Sequence, residues 1–132
     1  MIYGIGTDIV AISRVSAIYS TYQEKFLAKI LSPIELTKFN DINNLEKKDK
    51  YLATRWAGKE AIVKALGTGF RQGLYLSNFS ITNNVLGQPQ VILSTNAYKI
   101  ISNRLLNKQF HIHLSLSDDK DYALAYAIIE TI

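Results

Sequence analysis

Two carboxylates, Asp8 and Glu60, stand among residues that do not explain them. Asp8 ends the apolar, glycine-broken run Ile2-Tyr3-Gly4-Ile5-Gly6-Thr7. A carboxylate in such company is usually paired, hydrogen-bonded or metal-bound; the plainer reading makes Asp8 or Ser13 the cap of the next helix. Glu60 lies in Arg55-Trp56-Ala57-Gly58-Lys59-Glu60-Ala61-Ile62-Val63-Lys64-Ala65-Leu66-Gly67-Thr68-Gly69. Glu60 and Lys64 share one helical face, Lys59 adjoins Glu60, and Arg55 precedes Lys59 by about one turn. The plainer reading here is a core helix with a solvated ion pair. If the fold joins Asp8 to Glu60, they make a hard-oxygen site. Magnesium suits such a pair, since it keeps several waters and takes its other oxygens from substrate phosphates. Arg55, Lys59 and Lys64 would bring positive charge to those phosphates. Backbone amides of Gly67-Thr68-Gly69 would add donors. A metal, cations and a proton acceptor are what phosphoryl-type transfer needs.

Other motifs carry less. Gly4-Ile5-Gly6 is no dinucleotide fingerprint, because Ile9 holds the place of the third glycine, and no Gly-Lys-Ser/Thr follows. His111 and His113 fall on the polar side of an alternating segment and read as surface residues. Asp118-Asp119-Lys120-Asp121 reads as a solvated turn. With no cysteine, a disulfide scaffold, a thiolate metal site and a cysteine nucleophile are excluded.

The elements that must position these groups follow from periodicity. Residues 2–12 predict a strand, with the glycines marking close backbone approach. Residues 14–31 predict one or two helices, with Val15, Ile18, Tyr22, Phe26 and Ile30 near one face. Ser32-Pro33 opens a third helix, with Glu35 completing a capping box. After a polar loop over 40–44, a long central helix starts at Leu45 and stops at Gly67. Its stripe Leu52, Trp56, Val63 and Leu66 is apolar. Its row Ala57, Ala61, Ala65 leaves room for another backbone or a ligand. Residues 70–74 read as a loop or short strand. Strands follow over 79–83 and 90–93, then a helix over 96–106 capped by Thr95. A half-buried strand over 110–117 and a largely buried strand over 122–129 close the chain as a hairpin. The order predicts an α+β fold: a single domain over 1–132, with a mainly antiparallel sheet packed against the long helix.

The apolar fraction of 48% supports a real core, and the net charge of +4 favours an anionic partner. No apolar run is long enough to span a bilayer, and no signal peptide is evident. The basic residues concentrate on helices and the tyrosines are scattered, so a nucleic-acid module is disfavoured. A magnesium-dependent phosphohydrolase is the remaining alternative.

The motifs together go further. Gly4-Ile5-Gly6-Thr7-Asp8-Ile9-Val10 with Arg14, and Trp56 to Gly69, resemble the two signature motifs of the holo-[acyl-carrier-protein] synthases. These are the small, single-domain 4'-phosphopantetheinyl transferases. Leu86-Gly87-Gln88-Pro89 is similar to the family's Gly-Lys-Pro turn. His113-Leu114-Ser115-Leu116-Ser117 and Asp121-Tyr122-Ala123-Leu124-Ala125 resemble its C-terminal hairpin. The resemblance implies transfer of 4'-phosphopantetheine from coenzyme A to a serine of apo-acyl carrier protein, in support of fatty acid biosynthesis. It implies magnesium on Asp8 and Glu60, with Lys64 on the phosphate beside the attacking serine. Coenzyme A would meet Arg55, Lys59, Lys64, Gly67, Thr68, Gly69 and Pro89. The acidic carrier protein would meet Arg14, Lys25, Phe26 and Lys29. A cytoplasmic homotrimer, with no nucleic acid or membrane partner, is also implied. One departure stands out: many members have a histidine after Leu-Ser-x-Ser, where this chain has Asp118.

Overall fold

The structure, a computed structural model, describes residues 1–71 and 73–132. Gln72, within the segment expected to be a loop or short strand, lies outside the described residues. The chain runs β1 (Ile2–Ala11), α1 (Ile12–Tyr22), α2 (Glu24–Ile30), α3 (Pro33–Asn40), α4 (Leu45–Leu66), β2 (Phe79–Asn83), β3 (Pro89–Leu93), α5 (Thr95–Arg104), β4 (Phe110–Asp118) and β5 (Tyr122–Thr131). A short 3-10 turn, Leu76–Asn78, precedes β2. All strand pairings are antiparallel, in one sheet of order β1-β5-β4 and a second of β2-β3. The expected α+β fold is therefore present, with the sheet split in two.

The long helix α4 is the spine. The Asn44 side chain accepts from the Lys47 amide at 3.0 Å and caps its start, while Gly67 ends it at φ 75°, a left-handed conformation. Leu52, Ala53, Ala57, Ala61, Ile62, Val63, Ala65 and Leu66 are all buried. The alanine row receives a backbone, and that backbone is β1. A Cβ on Gly4 would stand 2.0 Å from the Ala65 carbonyl oxygen, and one on Gly6 would stand 2.0 Å from that of Ala61. Only glycine allows strand and helix to meet this closely.

The hairpin β4–β5 extends the sheet from the edge of β1, with Ala123, Ala125, Ala127 and Ile129 turned to the core. The alternate residues are not buried, which corrects the expectation of a largely buried final strand. Tyr122, Leu124 and Tyr126 share the open face of the sheet with Tyr3, Ile5 and Ile9, all of them exposed. The period of two gives the strand a wet side that its apolar composition hid.

Three local details differ from or extend the sequence expectations. The helical stretch after β1 breaks at Gln23, whose φ of 45° separates α1 from α2. Helix α1 starts at Ile12 with Ala11 at its N-cap position and no side-chain cap, so neither Asp8 nor Ser13 serves as one. Helix α5 is capped by Ser94, whose hydroxyl accepts from the Ala97 amide at 3.1 Å, and not by Thr95. The capping box of α3 forms between Ser32 and Glu35.

Candidate functional site

The seat of β1 on α4 brings Asp8 beside Glu60 and Lys64. Lys64 Nζ donates to Asp8 Oδ1 at 3.1 Å and to the Thr7 carbonyl oxygen at 3.0 Å. Lys64 thus bonds to Asp8 across the two elements, with no ion pair to Glu60, its neighbour one turn back. Glu60 is half-buried. Its carboxyl is raised above the ordinary 4.5, first by desolvation and then by the Asp8 charge, with Lys64 opposing both. The two carboxylates are therefore close enough for the Asp8 charge to act on Glu60, and the one amine beside them bonds to Asp8.

That arrangement fits a magnesium ion. Among the described residues no group of three or more acidic or histidine side chains gathers around one point. The protein offers two oxygen donors, one from each element, and a cation bound there would relieve the repulsion that raises Glu60. The remaining ligands would be water and phosphate oxygens.

Arg55 lies on the same helix but serves a different surface. Its guanidinium stacks over Tyr51 at 4.1 Å, and its Nη2 donates to the Ile81 carbonyl oxygen and to Asn83 Oδ1, both at 3.3 Å. It lines a groove of about 350 Å³ together with Pro89, Gly87, Asn83, Lys47 and Lys50. The structure thus places Arg55 and Pro89 on one groove. It adds Lys47, Lys50 and Asn83, which the sequence reading missed. The lysine-dense start of α4 was the available signal. Asp118 joins the same groove, 3.3 Å from Lys50 Nζ.

Lys59 requires a correction. It is fully buried, not directed at a ligand. Its ammonium donates to Glu35 Oε1 and to the Ile30 carbonyl oxygen. Glu35 Oε1 also accepts from the Ser32 amide at 3.0 Å, and Oε2 accepts from the Ile81 amide at 2.9 Å. Burial pulls the Lys59 amine below its usual range while the Glu35 charge pulls it back up. The pair ties α2, α3, α4 and β2 together, and no room is left for coenzyme A to touch Lys59.

The Gly67-Thr68-Gly69 turn closes α4. The Gly67 amide is occupied by the carbonyl oxygens of Val63 and Lys64. Arg104 Nε donates to the Leu66 carbonyl oxygen at 3.3 Å, and Thr68 Oγ1 is buried without a partner. The amides of Thr68 and Gly69 are the ones left to offer.

Arg14, Lys25 and Lys29 are exposed on α1 and α2. Phe26, expected to share that surface, is only 6% exposed and tilts against Trp56 with ring centroids 5.6 Å apart. It forms the floor of an apolar groove of about 510 Å³, with Lys25 and Lys29 on its lining beside Ile18, Tyr22 and Trp56.

Comparison with known proteins finds relatives over nearly the whole chain. The 4'-phosphopantetheinyl transferase superfamily profile matches residues 4–127. A holo-[acyl-carrier-protein] synthase of Wolbachia pipientis is 45% identical over 129 residues, covering 98% of each chain. One from Vibrio parahaemolyticus is 42% identical over 130 residues, again covering 98% of each. Among solved structures, the holo-[acyl-carrier-protein] synthase of Neisseria meningitidis superposes with a TM-score of 0.89 at 35% identity, covering 99% of this chain and 100% of that one. That of Bacillus anthracis, in complex with CoA (3',5'-ADP), gives 0.82 at 29% identity, covering 100% and 99%.

Proposed function

The chain belongs to the 4'-phosphopantetheinyl transferase superfamily, and we propose that Asp8, Glu60 and Lys64 form the centre of its reaction. It transfers the 4'-phosphopantetheine moiety of coenzyme A to a serine of apo-acyl carrier protein. The serine oxygen bonds to the phosphorus that carries the pantetheine arm, the pyrophosphate bond breaks, and adenosine 3',5'-bisphosphate leaves. Charge accumulates on phosphate oxygens during that step, so catalysis is mostly positioning and neutralisation.

The observation that carries the residue assignment is the approach of Asp8 to Glu60, with the Lys64 amine bonded to Asp8. Bound there, magnesium would compensate the pyrophosphate charge. Lys64, half-exposed and anchored on Asp8, adds a fixed positive charge toward the same space. Arg55 and Pro89 frame the groove for the nucleotide end, and the Thr68 and Gly69 amides are further donors. Lys25, Lys29 and Arg14 suit an acidic carrier, whose apolar side chains would enter the groove floored by Phe26. The exposed face bearing Ile5, Ile9, Leu124 and Tyr126 supports burial between copies of the chain, which fits a homotrimer. A role in fatty acid biosynthesis in the cytoplasm follows from the carrier as substrate. Among the described residues no helix is long and apolar enough to cross a membrane.

The test is incubation of the protein with apo-acyl carrier protein, coenzyme A and magnesium, followed by mass spectrometry of the carrier. The expected result is a gain of one phosphopantetheine arm, lost when the metal is chelated. A carrier left unmodified with metal present overturns the reading; modification that survives chelation overturns the metal assignment alone.

A further inference from the structure

We propose that Asp118 is a built-in counter-ion of the nucleotide groove. It holds the Lys50 ammonium until a ligand phosphate displaces it, and so lowers the affinity for the phosphorylated nucleotide end. The proposal rests on the reading of this groove as the coenzyme A site.

The charge distribution in the groove is one-sided. Three cations line it, Lys47, Lys50 and Arg55, against a single carboxylate, Asp118. Arg55 is already fixed by the Tyr51 ring, the Ile81 carbonyl oxygen and Asn83. All three partners are neutral, so its charge remains available to an anion while its position does not change. Lys50 differs. Its ammonium is drawn 3.3 Å from Asp118 Oδ1, in a pair whose side chains are 42% and 37% exposed.

The two members are not equally mobile. Asp118 is the last residue of β4, in register with Ala123 on β5, so the ladder holds its backbone in place. Lys50 sits on α4 with four carbons between backbone and charge. The lysine is the member that can turn away. An exposed pair of this kind is weakly held. A phosphate monoester carries nearly two charges and three strong acceptors near pH 7, against one charge for a carboxylate. The exchange of Lys50 from Asp118 to phosphate is therefore favourable. It leaves Asp118 beside the bound anion, where its negative charge opposes binding. Removing that charge acts twice in the same direction, by freeing Lys50 and by deleting the repulsion.

The experiment is calorimetric titration with adenosine 3',5'-bisphosphate of the wild type, Asp118→Asn, Lys50→Ala and the double variant, at low salt. Asp118→Asn should bind about two- to fivefold tighter, the range expected for an exposed ion pair. Its KM for coenzyme A should fall in parallel, while an unchanged melting temperature excludes a structural cause. Lys50→Ala should bind more weakly, and in that background the Asp118→Asn gain should shrink to the part that comes from the deleted repulsion. Raising the salt should shrink the gain. Equal or weaker binding by Asp118→Asn, or a gain that survives intact without Lys50, overturns the counter-ion role. If the wild type binds no adenosine 3',5'-bisphosphate, the groove assignment falls together with it.

Discussion

Lys59 and Glu60 follow one another on α4, and both meet an oppositely or similarly charged partner from another element. Lys59 is sealed in the core, and its partner Glu35 has each oxygen engaged by a donor. Glu60 faces Asp8 at a half-open surface, its carboxyl raised first by desolvation and then by the Asp8 charge, with Lys64 opposing both. A satisfied buried pair holds elements together and has no spare valence for a ligand. An accessible pair of like charges with one shared counter-charge keeps room for a further cation. The kind of charge matters less than whether its partners already complete it.

This contrast can be broken most forcefully at Lys59. Replacing it with Met strands Glu35 in the core, and the stability measured by denaturant unfolding should drop by about 3–5 kcal/mol. Adding Glu35→Gln to that variant should recover much of the loss, because the orphaned charge is then gone. A Lys59→Met protein that melts like the wild type but has lost coenzyme A affinity would reverse the assignment. At Glu60 the pattern should invert. Glu60→Gln should reduce kcat for carrier modification about 10²- to 10³-fold, the scale of a lost metal ligand, while folding normally. Near-wild-type turnover would remove Glu60 from the metal site.

The smallest effect sharpens the comparison through pH. A carboxyl held above its ordinary 4.5 binds its proton more tightly in the folded chain than in the unfolded one. Its contribution to stability is full below that value and is lost as pH rises through the raised one. In metal-free protein Glu60→Gln should therefore gain on the wild type as pH rises above about 4.5, by on the order of a few degrees in melting temperature. Magnesium should cancel the gain by stabilising only the wild type. A pH-independent difference would mean that the folded chain does not hold the Glu60 carboxyl above its ordinary range.

Local signals in the sequence translated well. The Ser32–Glu35 box, the Gly67 stop and the alternation over β4 each depend on residues a few positions apart. The glycines of β1 and the alanine row of α4 each announced close approach, and they turned out to approach one another. What stayed hidden depended on distant partners. The burial of Lys59 is decided by Glu35, twenty-four residues earlier, so a motif lysine looks the same whether it will meet a phosphate or a capping glutamate. The resemblance sets Phe26 at the carrier surface while its period sets it on the apolar face, and Trp56 covers its ring. Ser94 and Thr95 are equally good caps by type, and only the backbone distinguishes them. The Lys50–Asp118 contact joins the start of α4 to the end of β4, beyond the reach of any spacing rule.

The seat of β1 on α4 has a consequence for how the protein is made. Strand β1 leaves the ribosome well before β5, yet β5 is its ladder partner, with Ile2 in register with Glu130. Asp8 is thus translated early and placed late. The nascent chain already carries both Asp8 and Glu60, but β1 has no ladder partner until β5 is synthesised and docked. Pairing over such a sequence separation is slow to form. Catalytic competence should then appear in one step at the end of folding, and truncated chains that lack β5 should have no partial activity.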